Sequence, residues 1–510
     1  MSGRPASPPP PAMVPGNDWR LLEPSALGRW RPTLPVTVVI PYYERPGPLR
    51  LVLAGLTAQS YPRHLIEIVV ADDGSTAPPE VDGIEGLPTT TVVAQPDLGF
   101  RLAAARNLGA RHAGGEILVF LDSDMIPART LVEAHARWHH AASGLVTIGM
   151  RRHGDFTGVE PDAVAGAVAG GTLESLAGTG PHERPAWIVD HLRRTEDLTR
   201  HSEDAYRIAS GGNLGVCRNL FEEAGGFDES FKQWGGEDNE FGYRLMQLGA
   251  VVIPEPAALA WHDGPGEEPS EQEMRSLRSQ RRRLRHLIAD PGYRQPAPGR
   301  TYERPAVVVE VPADGATLGV VEACVGTILA GDFHDLVVAV TGVGAEDAVA
   351  LHREFDPDPR VRVDPGVEEL AALERFAWMV ARLSSPTLVG PCSLGAIVDV
   401  MKADGPGVVR ADLGGATMDC IKVRARARAE MAQAIAPVPE RRDIAANLFG
   451  SADFEPESLG PVIRPDSAHL LAENRSLRGY AESLSGRKAI RIADLLGRLM
   501  RPWRWRRRRS

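Results

Sequence analysis

The chain has 510 residues, 43% hydrophobic and 24% charged, the make-up of a soluble globular protein and too long for one ordinary core, so two or three domains are expected. No apolar run reaches the ~18 uncharged residues of a membrane-spanning helix, and four widely spaced cysteines (Cys217, Cys324, Cys392, Cys420) argue for buried thiols in a reducing cytoplasm, against a zinc site or disulfide framework. The net charge of −10 is uneven: residues 487–510 carry ten Lys or Arg against one Asp, +9, which leaves −19 on the remainder and points to an anionic surface as the partner of the basic end.

Residues 1–34, with Ser7-Pro8-Pro9-Pro10-Pro11 and no basic-then-apolar signal pattern, read as a flexible tail. Val36 to Ile40 is a β-branched run expected as a buried parallel strand, ended by Pro41-Tyr42-Tyr43-Glu44-Arg45. Leu49 to Gln59 reads as helix, and Ile66 to Val70 as the next strand, ending in Ala71-Asp72-Asp73-Gly74-Ser75. Strand, helix, strand with polar strand ends is the αβ layout whose ligands lie beyond the carboxyl edge. A dinucleotide site is disfavoured, because no Gly-x-Gly-x-x-Gly follows the first strand. Asp-Gly is also a turn dipeptide, so Asp72-Asp73 alone reads equally as a turn. Asp97 to Ala110 reads as a helix with small residues on one face; Arg106 within it is either a ligand contact or structural.

Glu116 to Leu121 is an apolar strand delivering Asp122-Ser123-Asp124. Carboxylates at i and i+2 point to one side, and their repulsion is relieved by a cation; oxygen ligands suit Mg²⁺ or Mn²⁺. Residues 150–209 are mostly helical in pattern. Ser210-Gly211-Gly212-Asn213 then leads to Trp234-Gly235-Gly236-Glu237-Asp238, where two glycines allow a tight turn between an aromatic and two carboxylates. Asp238 opens a helix with Phe241, Leu245 and Leu248 at helical spacing. Capping accounts for one acid there but not for the preceding Trp-Gly-Gly. Val251 to Ile253 is expected as an edge strand, followed by Trp261-His262-Asp263. Ser270 and Glu273 have capping-box spacing, and Arg281, Arg282, Arg283 and Arg285 form a solvated basic face.

From Ala306 the pattern restarts: Val307 to Pro312 as strand, an amphipathic helix to Leu329, then Leu336 to Val340. Thr341-Gly342-Val343 stands where Asp72-Asp73-Gly74 would recur. Gly390-Pro391-Cys392, after an expected strand Thr387 to Val389, stands where the Asp-Ser-Asp would. This copy offers a cation no charged oxygens; any small αβ domain is the other reading. Expected boundaries are 1–34 tail, 35–268 first domain, 269–303 helical linker, 304–470 second domain and 471–510 tail. Ile490, Ala493, Leu496 and Met500 at helical spacing among arginines, with Trp503 and Trp505, suit an anionic bilayer surface. A solvated tail or nucleic-acid arm is the alternative.

Over residues 35–265 these motifs, in this order, resemble inverting family 2 glycosyltransferases of GT-A fold, of the bacterial chondroitin-polymerase type and, more distantly, β-1,4-galactosyltransferases. The resemblance implies an α/β chain: a Rossmann-like, mostly parallel sheet with flanking helices, then a degenerate GT-A-like domain. It implies a nucleotide-sugar donor, most simply a UDP-sugar, a glycan or other hydroxyl acceptor, Mn²⁺ or Mg²⁺, no nucleic acid, and a cytoplasmic enzyme peripheral to the inner membrane face. Carried over residue by residue, Asp238 is the base, with Glu237 beside it. Pro41, Tyr43, Asp73, Arg101, Asp122, Gly212 and Asn213 meet the donor, Trp234 meets the acceptor, and Asp124, His262 and Asp122 hold the metal. Glu44 stands where the family commonly has Asn. A nucleotidyltransferase, or a glycan-binding scaffold with a dead site, are the rival readings.

Overall fold

The computed structural model describes residues 9–178, 185–200, 202–264, 271–294, 300–402, 405–433 and 441–454. The segment 471–510 with its basic stretch, Ser270 and the Glu273 side chain lie outside the described residues. Among the described residues no helix is long and apolar enough to cross a membrane, and all four cysteines are free.

The first sheet contains β1 (Val36–Tyr42), β2 (Ile66–Asp72), β3 (Thr89–Ala94), β4 (Ile117–Leu121), β5 (Met125–Pro127), β6 (Leu145–Gly154), β7 (Asn213–Cys217) and β8 (Val251–Asp263), in the order β3-β2-β1-β4-β7-β6-β8-β5. β1 to β4 run parallel, β7 is antiparallel to both β4 and β6, and β8 is parallel to β6. The carboxyl ends of β1, β2, β4, β6 and β8, with the start of β7, therefore share one edge. β1 and β4 are buried along their whole length, as β-branched and apolar runs covered on both faces must be. The helix Leu102–His112 lies so close on β1 that a Cβ on Gly109 would strike Val39, which explains its small residues. Val251–Ile253, the start of β8, pairs with β6 alone and is an edge as expected, whereas the later half of β8 is covered by β5.

The second sheet contains β9 (Val307–Pro312), β10 (Leu336–Thr341), β11 (Val361–Val363), β12 (Met379–Leu383), β13 (Val408–Asp412), β14 (Thr417–Lys422) and β15 (Ser451–Phe454), in the order β11-β10-β9-β12-β14-β13-β15. Strand for strand this is the first sheet's order and sense, antiparallel only at β14, without a counterpart of β5. The chain is thus a GT-A fold followed by a second α/β domain of the same topology. Thr387 to Val389 is not a strand. The counterpart of β4 is β12, whose Arg382 interrupts the apolar run, and Ser384-Ser385-Pro386 occupies the place of Asp122-Ser123-Asp124. The absence of acids at that position stands.

The expectation for the amino-terminal segment changes. Residues 9–22 are packed, not a free tail: Ala12 and Val14 are buried with Trp138, Leu145, Val251 and Ile253. Asn17 Nδ2 donates to Val252 O at 2.8 Å, and its Oδ1 accepts from Val252 N at 2.9 Å and from Arg424 at 3.0 Å. Arg428 donates to Val14 O at 2.9 Å and Gly249 O at 2.8 Å, so the strap lies between the domains. Proline-rich sequence signals no helix or strand, yet irregular backbone can still satisfy its polar groups against loops. The expected helical linker is a helix, Glu271–Leu287, and it is packed as well, with Leu284 and Leu287 buried in the core.

Asn17→Ala strands a buried strand N–H and a buried guanidinium, and is expected to cost about 2–3 kcal/mol, read as a lower urea midpoint with unchanged slope.

Candidate active site

One residue organises the carboxyl edge. Arg106, on the helix Leu102–His112, is 2% exposed. Its Nη2 donates to Asp122 Oδ1 at 2.9 Å and its Nη1 to Glu237 Oε1 at 2.9 Å. The guanidinium lies 5.3 Å from the Phe227 ring centroid. A Cβ on Gly211 would come within 2.5 Å of the guanidinium carbon, and one on Gly212 would strike the Asp122 carboxylate. The Gly-Gly turn before β7 is therefore set by the space these two side chains need. Of the two uses open to Arg106, the geometry selects the structural one.

The second partner comes from the Trp-Gly-Gly-Glu-Asp stretch. Gly235 and Gly236 take φ of 93° and 101°, left-handed backbone that suits glycine, and the helix Glu237–Gln247 starts at once. Glu237 turns inward to Arg106, 4% exposed, with Oε2 buried and unpartnered. Sealed against Arg106 in this way, the side chain is placed to position its neighbours rather than to face the cleft. Asp238 is half-buried and its Oδ1 accepts Asn239 N–H at 2.8 Å. Burial, then the Glu237 charge, push the Asp238 carboxyl up to about 7, with Arg106 opposing.

The donor-side acids sit beside this. Asp124 Oδ2 accepts from Arg45 Nη1 at 2.6 Å and lies 3.7 Å from His262 Nε2. Strand pairing brings them together: Met125 pairs with His262, and Asp263 N–H donates to Asp124 O at 2.8 Å. Burial and then Asp122 push Asp124 up to about 6, while burial and then Arg151 hold His262 below the usual histidine range. His262 Nδ1 is buried without a hydrogen-bond partner.

A carboxylate crowded by another carboxylate, beside a neutral imidazole, is a donor pair that fits Mn²⁺ well and Mg²⁺ through its oxygen. The expected set of three is not gathered. Among the described residues no three His, Cys, Asp or Glu side chains converge as for a metal, because Arg106 draws Asp122 aside.

Asp73 stands at the end of β2, its backbone N–H donating to Tyr42 O at 2.9 Å. Its carboxylate accepts from Gln95 at 2.5 Å and from the Arg101 backbone N–H at 2.9 Å, and burial raises its pKa. Tyr43 is 49% exposed beside it, and Pro41 is buried within β1. Glu44 adopts φ 50°, a region Asn tolerates better than Glu; its carboxylate accepts Thr76 N–H at 2.6 Å and so closes the Asp-Asp-Gly-Ser loop.

Two expected donor contacts are redirected. The Arg101 side chain reaches Glu229 at 3.7 Å. Asn213 is 2% exposed, bonded to His135 at 2.9 Å and to Ala258 O at 2.8 Å, and is a structural hub. Trp234 is 44% exposed at the cleft's lip. Sequence reasoning missed Arg45, which no motif marks, and His153, whose ring is 5.0 Å from His262 only because β6 and β8 pair in register.

Residues 37–164 match the family described as Glycosyl transferase family 2, and residues 191–256 the one described as N-terminal domain of galactosyltransferase. Within the first domain, residues 37–164 thus carry a family 2 glycosyltransferase match on a sheet of GT-A topology. The chain is 30% identical over 348 residues to chondroitin synthase of Escherichia coli, covering 64% of this chain and 49% of that protein. It is 32% identical over 259 residues to validoxylamine A glucosyltransferase of Streptomyces hygroscopicus subsp. jinggangensis (strain 5008), covering 48% of this chain and 58% of that protein. It thus spans about half the length of these relatives. The solved mannosyltransferase PcManGT from Pyrobaculum calidifontis, in complex with GDP-Man and Mn²⁺, aligns at 21% identity and a TM-score of 0.34, covering 53% of this chain and 65% of that one.

Arg106→Met retains bulk but leaves two carboxylates without their cation, and is expected to lower unfolding free energy by about 3–5 kcal/mol. Adding Glu237→Gln should recover part of that loss, read as a non-additive double-mutant cycle.

Proposed function

We propose that the protein is a metal-dependent inverting glycosyltransferase that moves a sugar from a nucleotide donor, a UDP-sugar, to a hydroxyl of a glycan or other acceptor. The observation that carries this reading is the Arg106 bridge, which fastens the acids after β4 to the acids that open the helix Glu237–Gln247. It gives donor-side carboxylates and a high-pKa carboxylate one shared edge. A match to a glycosyltransferase family over residues 37–164 supports it.

In this reading the half-exposed Tyr43 ring lies against the nucleobase, and Asp73, an acceptor-only carboxylate, takes the uracil ring N–H. Asp124 and His262 would hold Mn²⁺ or Mg²⁺, with Asp122 adding charge from behind. When bound, the ion supplies Lewis acidity and charge screening for the departing diphosphate. Asp238 removes the proton of the incoming hydroxyl as that oxygen attacks the anomeric carbon from the face opposite the diphosphate, inverting the centre. A carboxyl pushed up to about 7 is basic enough for that work and is ionised in about half of the molecules at neutral pH. The neighbouring Glu237 adds to burial in raising the basicity of Asp238, and Arg106 tempers it. Trp234 offers the acceptor sugar a flat apolar face. The second domain, lacking acids at the matching strand ends, supports the first or holds acceptor, and is not catalytic.

Asp238→Asn should retain nucleotide-sugar binding by calorimetry while losing transfer by roughly 10²–10⁴-fold; undiminished turnover removes Asp238 as the base. Because the ionised form is the active one, kcat/KM should rise about tenfold per pH unit below about 7 and level off above it. Chelation should abolish nucleotide release, and added Mn²⁺ should restore it; in Asp124→Asn/His262→Ala, Mn²⁺ binding by calorimetry should be lost.

A further inference from the structure

Beside the acids lies an open cleft, about 460 Å³ when the solvent at its mouth is counted, lined by Met125, Gly149, Arg151, Ile188, Ile208 and Ser210. Its place is defined by its neighbours in the chain. Met125 follows Asp124, and Ser210 precedes the Gly211-Gly212 turn that holds Asp122 and Arg106. Strand alternation separates two adjacent arginines on β6. Arg152 turns to the outer face, over the Trp261 ring at 5.6 Å and paired with Glu174 at 3.3 Å. Arg151 turns to the cleft, on the same face as His153. Its charge adds to burial in holding both His153 and His262 neutral.

The other arginines of this edge are matched: Arg45 with Asp124, Arg101 with Glu229, Arg106 with Asp122 and Glu237. Among the described residues Arg151 has neither ion pair nor hydrogen bond, and its Nε is buried without a partner. A half-buried guanidinium left in that state is costly unless a ligand brings an anion, and its planar fork matches an oxyanion with two parallel bonds.

We propose that Arg151 is the oxyanion-binding residue of the donor pocket, its ligand an anionic group carried by the nucleotide sugar. This rests on the donor reading above. The oxyanion has two sources, the diphosphate or a carboxylate on the transferred sugar. Cleft walls of Met125, Ile188 and Ile208 suit the apolar face of a sugar ring in either case.

The test is calorimetric binding of UDP, UDP-glucose and UDP-glucuronic acid, with Mn²⁺, to the full chain and to Arg151→Gln, Arg151→Lys and Arg152→Gln. Arg151→Gln should weaken at least one of the three by roughly ten- to a hundredfold, Arg151→Lys by less, and Arg152→Gln not at all. Loss shared by all three ligands assigns the diphosphate. Loss confined to UDP-glucuronic acid assigns a sugar carboxylate. Unchanged affinities in Arg151→Gln, with a wild-type chain that binds, overturn this inference alone. A wild-type chain that binds none of the three overturns the nucleotide-sugar reading and this inference together. Thermal melts report folding; if the Gln variant does not fold, the Lys variant decides, with equal affinity to wild type for all three ligands counting against bidentate recognition.

Discussion

The active edge depends on a buried cation held between two anions from distant parts of the chain. A guanidinium buried like that of Arg106 is costly without anionic partners, and Asp122 and Glu237 supply them. The three stabilise one another only while Leu102–His112, the end of β4 and the start of Glu237–Gln247 meet with little slack. Gly211 follows from the same demand, since any side chain there would occupy the guanidinium's space. The electrostatics also reach one residue further. Burial first, and then the neighbouring Glu237 with one carboxylate oxygen unpartnered, drive Asp238 towards its neutral form. The ion pair and the raised Asp238 carboxyl are thus one arrangement.

The helix that presents Asp238 is braced from behind by the second domain. Glu240, fully buried, pairs with Arg244 at 2.6 Å and with Arg304 at 2.7 Å, and Tyr243 donates to Phe376 O at 3.2 Å. Lys422 reaches Glu203 at 2.9 Å from β14. A sheet of identical order has therefore kept its core and lost its acids while gaining a contact surface. This is physically unsurprising: strand pairing and burial depend on the Val307–Val311 and Leu336–Val340 runs, whereas strand-end residues contribute chemistry and little packing.

The lip of the cleft is held by the helix Glu271–Leu287. Ser276 donates to Trp234 O at 2.9 Å, Leu277 lies over Gly235 and Leu284 over Gly236. Arg283 reaches Asp228 at 3.2 Å and stacks 5.1 Å from Phe231, so a residue that read as part of a solvated basic face is part of the brace. The exposed Trp234 ring consequently stands on a backbone fixed from below, which is what a rigid aromatic platform requires.

Local chemistry was legible along the chain because it is written in short runs. β-branched stretches foretold β1, β2, β9 and β10 almost to the residue, carboxylates closing such strands marked the edge, and the restart at Ala306 announced the second copy. Sequence alone could also say that this copy lacks the acids, though it misplaced the position by mistaking Thr387 to Val389 for a strand that Arg382 concealed at β12. What only the tertiary structure decided is which charges face each other. Asn213 carries polar groups suited to a ligand and spends them internally on His135 and the Ala258 carbonyl. Glu237 and Asp238 are neighbours in sequence, yet one is sealed against Arg106 and the other half-open to the cleft. His153 meets His262 through strand register. The reason is range: periodicity and turn chemistry act over a few residues and survive in the sequence, whereas burial and pairing of a charge depend on groups a hundred residues away, which are brought together only when the sheet closes.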